Sequence, residues 1–573
     1  MIFKAETSIS LHDQPFSDTL LDALWKYGSK TALIDAQTGA QATNHQLYFQ
    51  SLSVASFLEK HHFRHGDVAC AVMHNCLEYF PIFLGVALQG GTLSTASYAF
   101  TEYELQYQFN DSGSKMVFCN SMNLEKVMKA VQKCPTITCV VVIADHKSPS
   151  KPDGYPFGVI PFEEVLACQP NVHRHKVDVD INRDILVLPY SSGTTGSPKG
   201  VMLSHQNLAC QADILAIHIS KQVMEKLDPD FNFQNETDVL FLPIYHIYGM
   251  CWLMRNIVYG VRTVLLSHFE LDVYCKGIET YKVRYLTLVP PVLLLLAKHP
   301  SIDKYDLSSV QAIMSGAAPA GKELCEDVIR RLPSVKILGQ AYGMTETASA
   351  THCMVYGKNL KFGSSGRLCP SIEMKIVDPK TGAELNVNQR GEVCVRGNTM
   401  MLGYLNRPKA TAETIDDDRW LHTGDIGYVD DEGFTYIVDR LKELIKVKGF
   451  QVAPAELEDL LLTHPLIQDA AVIGVPDESC GEIPMAFVVR KNDSLEEQEI
   501  VGFVKDRMSH YKQLKGGVAF IREIPKSTSG KILRRFLKDE AELLKQAKKK
   551  AKLCAQCGAI LEKTAAPARP TGR

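Results

Sequence analysis

Short aliphatic runs at 139–143, 185–188, 239–242 and 263–266 alternate with longer segments, at 103–109, 124–132 and 322–331, where apolar residues recur every three or four positions between charged ones. The runs predict buried strands and the three-and-four spacing predicts helices with one buried stripe. Their alternation predicts an α/β fold. Gly28, Gly66, Gly113 and Gly260 punctuate these elements. Over 382–397 the texture shifts to turns and short strands, one of them at 392–396. A second α/β pattern then begins at Asp439, with helices expected at 454–463 and 498–509 and strands at 470–474, 485–490 and 518–521. The expected organisation is a large multi-subdomain α/β body over 1–438, a small mobile α+β cap domain over 439–540, and a basic, disordered tail over 541–573.

Length and charge narrow the function. A chain of 573 residues with 45% hydrophobic content is too long for one core and too apolar for disorder. A net charge of -3 leaves no basic field for nucleic acid, so small-molecule chemistry is favoured. The 16 scattered cysteines read as reduced thiols. The first residues lack the apolar core of a secretion signal, and the apolar run 285–297 is broken by Pro290 and Pro291, short of a bilayer span. The expected compartment is the cytoplasm, with a peroxisomal location through a signal away from the C-terminus, or peripheral membrane attachment, as alternatives.

Ser191-Ser192-Gly193-Thr194-Thr195-Gly196-Ser197-Pro198-Lys199-Gly200 follows the apolar run 185–188. Glycines let backbone N–H groups approach phosphate oxygens, and hydroxyls and an ammonium add donors, so the string suits a polyphosphate. Its spacing is not that of a Walker loop. The bland reading is a flexible Ser/Gly turn.

At this string the sequence resembles the adenylate-forming superfamily of acyl-CoA synthetases, luciferase-type enzymes and peptide-synthetase adenylation domains, and is most similar to 4-coumarate:CoA ligase and its relatives. Seven ordered motifs extend the resemblance: Ser315-Gly316-Ala317-Ala318-Pro319, Tyr342-Gly343-Met344-Thr345-Glu346, the segment 391–397, Trp420-Leu421-His422-Thr423-Gly424-Asp425, the segments 439–446 and 448–456, and Pro525 to Lys531. The resemblance implies an ATP-dependent acid:CoA ligase using ATP, Mg2+ and coenzyme A, with a luciferase-like oxygenase or a catalytically silent acyl- or nucleotide-binding scaffold as alternatives. It implies that Ser191, Ser192, Gly193, Thr194, Thr195, Lys199 and Thr345 meet the phosphates. Glu346 is then the magnesium ligand, and Asp425 and Arg440 take the ribose. Ala317, Ala318, Gln340, Ala341 and Tyr342 surround the adenine.

By the same resemblance Lys531 bridges the carboxylate and the α-phosphate, two anions that would otherwise repel. Lys442 is the hinge, Lys448 and Gly449 border the coenzyme A passage, and Lys446 and Gln451 support activity. His246 orients the carboxylate, and Tyr248, Gly249, Trp252 and Ala341 line the acyl pocket. No Asp or Glu lies between Pro243 and Ser267, which favours an apolar acid over an amino acid. Trp252 stands where plant coumarate ligases carry a small residue, and His268 replaces a lysine that touches coenzyme A in relatives. The Cys554/Cys557 pair lacks the second ligand pair of a zinc site.

Overall fold

Alternating strands and helices over the first half of the chain build a largely parallel sheet with covered faces. The computed structural model describes residues 1–144, 155–156, 158–191, 198–357, 361–447 except 441–442, 450–477, 480–508, 510–526, 530 and 532–546; at 439, 440, 450 and 451 it describes strand positions only. The chain divides into two units, Met1–Ile437 and Val438–Arg573.

In the larger unit an eight-stranded sheet has the order Gly403–Tyr404, Lys199–Ser204, Ile185–Ser191, Thr92–Ala96, Val68–Val72, Met116–Asn120, Cys139–Ile143, Val159–Pro161. From Ile185–Ser191 onward neighbouring strands are parallel, as buried aliphatic runs linked by helices require. Lys199–Ser204 returns antiparallel beside Ile185–Ser191, pairing Lys199 with Ser191. The Ser/Gly string therefore connects two strands at the sheet's end. A parallel sheet of Tyr285–Leu288, Ala312–Ser315 and Ile337–Gln340 stands beside a four-stranded one containing Thr237–Leu240 and Arg262–Leu265. A five-stranded sheet runs Ile2–Lys4, Glu373–Val377, Gly391–Arg396, Leu421–Val429, Thr435–Arg440.

The helix Lys322–Arg331 and the strand Cys139–Ile143 fall where the hydrophobic pattern puts them. The run 285–297 resolves into the strand Tyr285–Leu288 and the helix Pro290–Lys298, whose prolines occupy its first turn, where no intrahelical N–H bond is lost. Among the described residues no helix is long and apolar enough to cross a membrane.

In the smaller unit Gly481–Arg490, paired along its length with Ile467–Asp477 in a hairpin, also pairs with Ile445–Val447 at its start and with Val518–Phe520 further along, and the helices Pro454–Leu462 and Glu497–Lys505 complete the unit. Its core, with Val452, Leu457, Val472, Val488 and Ile500, is separate from that of the larger unit. Helix 498–509 is corrected to Glu497–Lys505, followed by the single turn His510–Lys512. Residues 541–546 continue a helix, and Ala541 is buried in one cluster with Ile473 and Phe487. Residues 547–573, with Cys554 and Cys557, lie outside the described residues.

Candidate active site

Glu346 sits in the turn Thr345–Thr347, just beyond the short strand Tyr342–Met344, and is 5% exposed. Its Oε1 accepts hydrogen bonds from Ser191 Oγ and Tyr404 Oη, both at 2.9 Å. Lys199 Nζ lies 4.9 Å from the centre of the Tyr404 ring. The first residue of the Ser/Gly string thus meets the acidic motif at one carboxylate, and the string's lysine stands over the tyrosine that shares it. Burial first, and then the neighbouring Glu346 charge, push the Tyr404 phenol above its ordinary value, so it stays a donor. Tyr404 was missed in the sequence, where it is one aromatic in an ordinary Gly-Tyr-Leu-Asn turn.

Both ends of the string are tied to the helix Glu102–Ser112. Tyr190 Oη donates to Asp111 Oδ2 at 2.8 Å, Arg407 Nη2 to Asp111 Oδ1 at 2.8 Å, and Tyr107 Oη to the Pro198 carbonyl at 3.0 Å. A half-buried carboxylate held by both Arg and Tyr has little freedom, so the string's endpoints are fixed.

Tyr342 Oη donates to Asp425 Oδ2 at 2.6 Å, joining the expected adenine and ribose residues. Asp425 is 6% exposed on the strand Leu421–Val429. Gln340 does not present a free amide. Its side chain accepts from the Ala320 N–H at 2.9 Å and donates to the Ala320 carbonyl at 3.2 Å, clamping the turn that holds Ala317 and Ala318. Ala317 in that turn, and Ala348 and Ser349 beside Glu346, have φ of +69°, +51° and +106°, strain of the kind that collects at functional sites. The Ala341 N–H donates to the Ser315 carbonyl, bringing this segment beside the Ser-Gly-Ala-Ala motif.

His246 caps the helix Ile247–Tyr259, its Nδ1 accepting from the Tyr248 N–H at 3.3 Å. Among the described residues the buried Tyr248 hydroxyl has no hydrogen-bond partner, and a Cβ on Gly316 would lie 3.0 Å from it, so glycine makes room for the phenol. A Cβ on Gly249 would lie 2.4 Å from the Pro243 carbonyl; this glycine serves close packing at the helix start. Trp252 is fully buried, stacked on Tyr285 with centroids 5.9 Å apart, and its indole N–H donates to Asp238 Oδ2. Asp238 also accepts from Asn256 at 2.9 Å and lies 3.9 Å from Arg255, which stands 4.4 Å over the Trp252 ring. Burial raises the Asp238 carboxyl, opposed by Arg255. The acid-free span 243–267 is thus backed by an acid from the preceding strand, spent on internal bonds.

Ser192, Gly193, Thr194, Thr195, Lys442, Lys448, Gly449 and Lys531 lie outside the described residues, and Arg440 and Gln451 are described only as strand positions. Lys446 is exposed on Ile445–Val447, its N–H donating to Glu482 at 2.9 Å. The segment leading to Lys531 is closed at its base by the Lys526–Ile532 bridge and the bond from the Leu533 N–H to the Pro525 carbonyl.

A parallel sheet ending in a pinned Ser/Gly string, beside a buried carboxylate and a Tyr–Asp pair, defines an adenylate-forming enzyme. The AMP-binding enzyme family model matches residues 22–405 and the AMP-binding enzyme C-terminal domain matches 456–531; the chain belongs to this family. It is 41% identical over 536 residues to 4-coumarate--CoA ligase 1 of Petroselinum crispum, covering 91% of this chain and 93% of that protein. ATP-bound MatB from Rhodopseudomonas palustris superposes with a TM-score of 0.80 at 25% identity, over 92% of this chain and 99% of the other. The anthranilate CoA ligase AuaEII, in complex with anthranoyl-AMP, shares the fold with a TM-score of 0.83 at 24% identity, over 94% of this chain and 99% of the other.

Proposed function

We propose that this chain joins a largely apolar carboxylic acid, fatty or arylalkyl, to coenzyme A through an acyl-adenylate. The observation that carries the reading is the meeting of Ser191 and Tyr404 at Glu346, with Lys199 over the Tyr404 ring. Glu346 Oε2 takes no hydrogen bond from the described residues, so this buried carboxylate keeps one hard oxygen for a hard cation. Magnesium held there supplies charge neutralisation at the phosphates. The hydroxyls of the string, Lys199 and Thr345 hold the phosphate oxygens, Asp425 accepts from the ribose, and His246 orients the acid.

In the first step a carboxylate oxygen attacks the α-phosphorus, a P–O bond forms, and pyrophosphate leaves. Lys531 lowers the repulsion between the two anions. In the second step the coenzyme A sulfur attacks the acyl carbon, AMP leaves, and the thiol proton passes to solvent. Lys448 and Gly449 belong to this second step, with Lys442 the hinge between the two.

Lys531→Ala is expected to abolish acid-dependent ATP–pyrophosphate exchange while thioester formation from supplied acyl-adenylate continues. Equal loss of both would contradict the division of roles. A coenzyme-A-dependent AMP-release screen over short, medium, long-chain and cinnamic acids names the substrate; no turnover with any of them would remove the proposal.

A further inference from the structure

The strands Gly391–Arg396 and Leu421–Val429 pair out of step. Glu392 faces Ile426 and Cys394 faces His422, so Thr423, Gly424 and Asp425 stand opposite the single residue Val393. Two extra residues bow outward, and Asp425 is the last of the bowed segment. A bulge of this kind re-aims a side chain, and it needs new partners for the N–H groups that leave the ladder.

Those partners are side chains. Glu392 Oε1 accepts from the Gly424 N–H at 3.1 Å, Thr423 Oγ1 accepts from the Asp425 N–H at 3.1 Å, and the same hydroxyl donates to the Val393 carbonyl at 2.7 Å. Gly424 has φ of +70°, which only glycine adopts without strain. The second oxygen of Glu392 lies 3.0 Å from His422 Nδ1, whose Nε2 is 3.5 Å from Asp416 Oδ2. Glu392, Cys394 and His422 place three ligand-type atoms within 4.8 Å of one another. Each already has protein partners, with Cys394 Sγ 3.4 Å from His422 Nδ1, and what the group holds is the bulge.

We infer that Glu392, braced by His422, is a positioning residue that sets Asp425 for the ribose hydroxyls, with Thr423 as its partner across the bulge. The inference rests on the proposed ribose role of Asp425. Without Glu392 the Gly424 N–H is orphaned and the bowed segment loses the contact that fixes its curvature. The Asp425 carboxylate then keeps its charge and loses its aim.

The test compares ATP with 2′,3′-dideoxy-ATP in the acid-dependent reaction. The wild-type enzyme is expected to prefer ATP in KM, and Glu392→Ala to reduce that preference about tenfold or more, the range for a lost hydrogen bond to a charged group. The KM for ATP should rise more than those for the acid and coenzyme A. Glu392→Gln, which keeps an acceptor for Gly424, should restore most of the preference. A merely structural role would lower the active fraction and leave the preference untouched. If Glu392→Ala does not fold, Thr423→Val reads the same bulge from the other strand. A wild-type preference that survives intact in the folded variant overturns the inference. Wild-type indifference to the two hydroxyls overturns the ribose reading, and this inference with it, and is recognised from the wild-type kinetics alone.

Discussion

Trp252 shows how far a residue's surroundings can depart from its sequence neighbourhood. Its ring is fully buried and its N–H is committed to Asp238, fourteen positions earlier. Trp252→Ala is expected to destabilise the larger unit by about 3–5 kcal/mol, the range for a large aromatic removed from a core. Trp252→Phe keeps most of the packing but takes one donor from a buried carboxylate, an expected loss of about 1–3 kcal/mol. Urea unfolding followed by circular dichroism separates the two, and equal stabilities for wild type and Phe variant would show the Asp238 bond to be energetically idle. The sequence marks Trp252 as unusual at its position but gives no sign of Asp238, because their pairing depends on a parallel strand packing beneath a helix. Glu346 was legible, since its motif is local; Tyr404, fifty-eight residues later, reaches it only through the antiparallel edge of the eight-stranded sheet.

At the scale of elements, hydrophobic spacing located strands and helices well wherever one face is buried, as in Lys322–Arg331 and the hairpin Ile467–Asp477/Gly481–Arg490. It gave no hint of the polar bonds that lock elements together. In the helix Pro454–Leu462, Glu458 is buried, accepts from Arg534 Nη2 through both oxygens at 2.7 and 2.8 Å, and from the Val472 N–H at 2.8 Å. One side chain thus ties this helix to a strand of the hairpin and to the helix that follows residue 533. Arg534→Ala leaves the carboxylate buried and uncompensated, an expected loss of about 3–5 kcal/mol. Combining Glu458→Gln with Arg534→Met should recover part of it. Thermal unfolding of the variants, followed by near-ultraviolet circular dichroism, provides the check; a double variant no better than the single one would argue against an uncompensated charge as the cause.

For the whole molecule, buried histidines set the response to acid. Burial lowers His205 and His218 to about 4 and His352 to about 3, from an ordinary 6.5. The unfolded chain binds these protons below pH 6.5 and the folded chain does not, so stability present above that pH is lost as the pH falls towards 4. Each histidine contributes a slope of up to ~1.4 kcal/mol per pH unit. His422 works oppositely, since Cys394 and Glu392 hold its imidazolium up to about 10. Its contribution is full below pH 6.5 and is lost as the pH rises through about 10. Urea midpoints should fall on both sides of a broad neutral maximum, and His422→Gln should flatten only the alkaline arm. An unchanged alkaline arm in that variant would show that His422 is not the group responsible.

The strand Ile2–Lys4 pairs with Glu373–Val377, and the first amine meets Glu384 at 2.7 Å. On the ribosome this strand must therefore wait for nearly four hundred later residues before its partner strand exists. The rest of that sheet reaches to residue 440, so the nascent large unit carries an open edge through most of its synthesis. That long exposure gives the growing chain a window for wrong pairings.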